Sequence, residues 1–127
     1  MKKDLNARTF TVFGLAFVVA ALTHWTIPYG ELNYIENIFL LRWVLYSGII
    51  SLIGHLKFKQ MAGKVAIWVA SGFMISVFFR MIFDLLRDGT SHNLWPFELI
   101  LTFGLTFIPA FIVGFIYRLI QGAQKLR

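Results

Sequence analysis

The chain contains no cysteine and little charge. Without cysteine there can be no disulfide, thiolate nucleophile, or cysteine-ligated zinc or iron–sulfur centre. Charged residues make up 14% of the chain, against about 25% in ordinary soluble domains. Motifs of recognisable chemistry are missing as well. There is no HExxH, no His-x-x-x-His and no ExxH, so nothing in the sequence specifies a metal. There is no G-x-S-x-G nucleophile elbow, no glycine-rich phosphate loop and no nucleic-acid signature. No catalytic residue, cofactor, metal site or nucleic-acid partner is assigned.

What the chain does have is apolar. Of its 127 residues, 58% are hydrophobic and 17% aromatic, including 14 Phe, 4 Trp and 4 Tyr, and the mean hydropathy is +0.73. A soluble domain of this size has too little interior to hide them, so an integral membrane protein is expected. Four apolar stretches approach the roughly 20 residues needed to cross a bilayer, at about 9–27, 38–56, 65–86 and 95–120. The first follows the basic MKK but has no small-x-small cleavage site before the next polar segment, so it is expected to be retained. The connections are short, which makes sequential helices antiparallel. The expected fold class is all-α: one transmembrane domain over 1–127, a four-helix bundle of up-down-up-down topology.

Charge orients this bundle. Lys2, Lys3 and Arg8 precede the first span, Lys57, Lys59 and Lys64 fill the connection between the second and third, and Arg118, Lys125 and Arg127 close the chain. The positive-inside rule then puts both termini and the 57–64 connection in the cytoplasm. A plasma membrane of the bacterial inner-membrane type is the expected location. Lys57, Lys59 and Lys64 also form a basic loop able to touch acidic head groups, although a plain topology signal is the favoured account of them.

With that orientation the scattered polar residues fall at one level. His24 lies near the outer end of the first span, Glu36 at the mouth of the second, and Arg42 about 9 Å deeper by the helical rise. Arg80 and Asp84, in the string FFRMIFD, occupy the outer half of the third span, and Glu98 opens the fourth. Intervals of four residues draw further stripes: Gly72, Ser76, Arg80, Asp84; Thr102, Thr106, Ala110, Gly114; Ala16, Ala20, His24; and Ser47, Ser51, His55, with Arg42 and Tyr46 on the neighbouring edge. Small residues permit close helix approach, and hydroxyls are expected to bond across the contact. These faces should turn inward, whereas positions such as Val77 and Leu105 should meet lipid or loose packing. Pro109 is expected to kink the fourth helix.

The polar level is the candidate site: Arg42, Arg80, Asp84, Glu98, Glu36, His24 and Tyr46. An intramembrane Arg or Asp costs about 2.5 to 3.5 kcal/mol each at a helix centre. An i,i+4 pair recovers only a few tenths to about half a kcal/mol, so Arg80 and Asp84 need more partners. Glu98, Glu36, Arg42 and water are the ones available. Snorkelling of the arginines toward head groups remains an alternative. Guanidinium groups near an opening suit a phosphate or carboxylate. Three functions follow from this reading. One is an oligomeric unit that binds or conducts an anionic lipid head group or small anion. The second is an accessory subunit completed by a partner membrane protein. The third is a small membrane enzyme acting on a lipid-linked substrate.

Overall fold

The computed structural model describes residues 2–27, 37–58, 61–89 and 95–124, with side chains from 7–27, 40–58, 61–89 and 96–124. These residues form four α-helices: α1 (Lys2–His24), α2 (Asn37–Phe58), α3 (Ala62–Arg87) and α4 (Trp95–Gln124). Three stretches are long and apolar enough to cross a membrane, Ala7–His24, Ala62–Arg87 and Pro96–Gln124. The chain is therefore compatible with an integral membrane protein. The exterior of α2 is of the same kind, with Leu41, Leu45, Ile49, Leu52, Ile53 and Leu56 all exposed.

The helices outrun the apolar stretches. α1 begins at Lys2 rather than near residue 9, and α4 continues to Gln124 rather than stopping near 120. Hydropathy marks the part of a helix that suits hydrocarbon, whereas the backbone hydrogen-bond ladder continues into polar sequence wherever no breaker stops it. α1 stops early, at His24, in a turn where the Ile27 amide reaches the His24 carbonyl at 3.4 Å. Ile27 precedes Pro28, and the residue before a proline is disfavoured in the α conformation.

α3 packs mainly against α1 and α4, and α2 mainly against α4. The small-residue stripes are the inward faces. Ala16, Ala20 and His24 of α1, Ser47, Ser51 and His55 of α2, Gly72 and Ser76 of α3, and Thr102, Thr106, Ala110 and Gly114 of α4 are all buried. Gly72 explains why size matters here. A Cβ at Gly72 would lie 2.6 Å from the Phe13 carbonyl oxygen and 2.7 Å from the Ala16 Cβ, so α1 and α3 touch backbone to backbone. Gly114 accepts the His55 ring against its Cα in the same way, and His55 stacks on Tyr117 at 5.7 Å.

Two expectations are corrected. Val77 is fully buried, in a core with Trp43, Phe73 and Met81. α3 is flanked on more than one side, so Phe73, Val77 and Met81 form a second inward stripe of bulky residues beside the small one. The hydroxyls also mostly stay at home. Thr23, Thr102 and Thr106 donate to carbonyls of Val19, Glu98 and Thr102 in their own helices, which saturates each hydroxyl locally. Ser51 does cross between helices, donating to the Ala110 carbonyl of α4 at 2.6 Å.

Candidate functional site

Arg80 and Asp84 sit one turn apart on α3, so their side chains meet along the helix surface. The Arg80 Nε donates to Asp84 Oδ2 at 2.7 Å, with side chains only 13% and 11% exposed. Both are turned against the end of α1. There the Arg80 Nη1 donates to the Trp25 carbonyl at 2.6 Å and Nη2 to the Ile27 carbonyl at 3.3 Å. A helix C-terminus leaves its last carbonyls without intrahelical donors and carries partial negative charge. Arg80 therefore caps α1 from a neighbouring helix. The Trp25 indole returns the contact, its Nε1 donating to the Ser76 carbonyl of α3 at 3.2 Å.

These acceptors offset the burial of a guanidinium, which stays charged in proteins. They are not the partners the sequence offered. Backbone carbonyls carry no sequence signal of their own.

The remaining candidates are placed around this centre unevenly. His24 is fully buried with its ring edge-on to Trp43 at 5.8 Å, and Trp43 is edge-on to Phe73 at 5.7 Å. Tyr46 is half-buried against the core, Arg42 is exposed on α2, and Glu98 is half-buried at the start of α4. Glu36 and Lys59 lie outside the described residues; Lys57 is exposed and Lys64 half-buried. Among the described residues no group of three His, Asp or Glu side chains is arranged to hold a metal ion.

A cavity of about 390 Å³ opens beside Arg80 and is lined by Trp25, Phe79, Arg80, Ile82, Phe83 and Leu86. Phe17 stands behind it, edge-on to Trp25 at 6.4 Å and to Phe79 at 6.2 Å. At the helix end the Arg87 guanidinium lies over the Phe83 ring, 4.8 Å from its centroid. Its volume falls within the range of about 300 to 1,000 Å³ typical of ligand sites. The aromatic part of this wall was not legible as a site, since Phe79 and Phe83 are indistinguishable in sequence from other outward-facing phenylalanines.

In comparisons with known proteins, no family model, no curated protein and no solved structure matches the chain.

Proposed function

We propose that the chain is a small polytopic protein of a bacterial-type plasma membrane, a four-helix up-down-up-down bundle with both termini cytoplasmic. In this reading it binds an anionic group, a lipid head group or a small anion, at Arg80 in its outer half, and it works as an oligomer. Alternating helix direction is supported by the pairings along the bundle. Trp43, early in α2, meets His24 at the end of α1, while a Cβ on Gly54, late in α2, would meet Val12 near its beginning.

One observation carries the anion reading. Arg80 lines an open cavity, and its guanidinium has five N–H donors, of which three are committed to Asp84, Trp25 and Ile27 among the described residues. One N–H on each terminal nitrogen remains for a ligand, and guanidinium donors suit the oxygens of an anion. The fixed partners hold the guanidinium in place before the ligand arrives. Four helices are few for a complete carrier, which is the reason for an oligomer.

A second reading, an accessory subunit of a larger membrane complex, is favoured by α4. Phe103, Phe107, Phe111 and Phe115 stack in sequence at 5.6, 5.9 and 6.2 Å as a flat ladder on this helix, and Phe111 and Phe115 are exposed. Native mass spectrometry from gentle detergent separates the two. A homo-oligomer that retains an anionic ligand, and loses it in Arg80→Gln, is expected. A complex with an unrelated protein and no retained anion would replace the first reading with the second.

A further inference from the structure

We infer that the ligand of this site is a phospholipid with an anionic head group, held with one acyl chain in the groove beside Arg80, and not a free anion. The inference rests on the anion-binding reading of Arg80 and adds to it the chemistry of the rest of the cavity. Every lining residue other than Arg80 is an aromatic or aliphatic side chain: Trp25, Phe79, Ile82, Phe83 and Leu86. A hydrated phosphate gains nothing from such walls, whereas a hydrocarbon chain does.

The groove also has a direction. Its α3 residues run from Phe79 to Leu86, about 10 Å along the helix by the helical rise, and Leu86 at its far end is 82% exposed. Arg87 stands next to that end with its guanidinium over the Phe83 ring. Arg87 follows Arg80 by seven residues, two turns, so both arginines lie on one side of α3. A head group at Arg87 would let the chain descend past Leu86, Phe83 and Phe79, with Arg80 beside the glycerol and phosphate oxygens. The volume of about 390 Å³ has room for roughly a dozen methylene groups, taking each as near the ~30 Å³ of a water molecule in liquid. Aromatic walls, Arg80 in the lining and Arg87 beside the Leu86 end select a lipid of negative charge in the leaflet that holds the C-terminal end of α3.

The test is retention of lipid by the purified full chain in native mass spectrometry. The probes are phosphatidylglycerol, phosphatidylcholine with the same chains, and glycerol 3-phosphate. Phosphatidylglycerol is expected to be retained roughly tenfold better than phosphatidylcholine, in keeping with the attraction of basic residues for anionic lipid. Glycerol 3-phosphate at equal concentration should not displace it. Ile82→Trp and Leu86→Trp, which fill the groove from exposed positions, should each lower retention. Arg87→Gln should reduce the preference for the anionic lipid, and this exposed position is informative even where Arg80→Gln fails to fold. If glycerol 3-phosphate displaces the lipid and the groove variants change nothing, the ligand is a small anion; the inference falls while the anion reading stands. Equal retention of both lipids overturns the anionic-lipid inference and the anion reading together. Retention of neither lipid, with no binding of glycerol 3-phosphate, also overturns both.

Discussion

Arg80 answers to three acceptors, the Asp84 carboxyl on its own helix and two backbone carbonyls in the turn that follows α1. Removing a single member of a buried pair costs about 3 to 5 kcal/mol in soluble proteins, while replacing both with apolar groups is often close to neutral. Couplings inside membranes are smaller. Asp84→Asn should therefore destabilise the purified protein, and Arg80→Met combined with Asp84→Leu should cost less than the sum of its parts. Thermal unfolding in detergent measures both. The double variant still strips the α1 carbonyls of their donor, so full recovery of wild-type stability would mean that the cap contributes nothing. Arg80→Lys is the sharper probe. A lysine ammonium is a compact point charge without the planar fork, so it cannot hold Asp84, Trp25 and Ile27 in the same geometry, and should bind ligand at least several-fold more weakly. The pairing of Arg80 with Asp84 was legible from their spacing alone. Its other acceptors were not, because a helix end displays carbonyls that belong to no particular side chain.

At the scale of the helix, the four-residue stripes mark where backbones meet. Gly72→Leu would force a branched side chain against the Phe13 carbonyl and Ala16, and Gly114→Leu would displace the His55 ring. Overpacking a tight interior costs about 1 to 3 kcal/mol, and more where backbone must move. Both variants should lower the unfolding temperature well below that of Leu105→Phe, on a partly exposed position of α4. Val77→Leu belongs with the damaging group, since Val77 is fully buried. Equal tolerance at all four positions would contradict this packing. Small residues at every fourth position are visible in a sequence because they depart from the apolar background. Bulky inward residues such as Phe73 and Val77 are not, because in an apolar chain an inward and an outward valine look alike. The helices run past the apolar stretches for a related reason: hydropathy measures suitability for hydrocarbon, and a helix is free to leave it.

For the whole molecule, the proposed orientation is checked by single cysteines in a chain that naturally has none. A cysteine at Gln60 should be protected from an impermeant reagent added outside intact cells, and one at Ser91 should react. The opposite pattern would reverse the bundle and move the Arg80 groove to the other leaflet. The cap on α1 has a consequence for how such a chain is made. Spans emerge from the ribosome in order, and within α3 the pair Arg80 and Asp84 alone carries an insertion penalty of about 5 to 7 kcal/mol on translocon scales. The carbonyls that receive its arginine belong to a segment synthesised some fifty residues earlier, Trp25 and Ile27. In a membrane-spanning chain the first span is then expected to act as an intramolecular chaperone for the third. Replacing residues 9–24 with an unrelated polyleucine anchor of equal length, which lacks the small-residue face that docks on Gly72, should leave the third span inefficiently inserted while the first still anchors the chain.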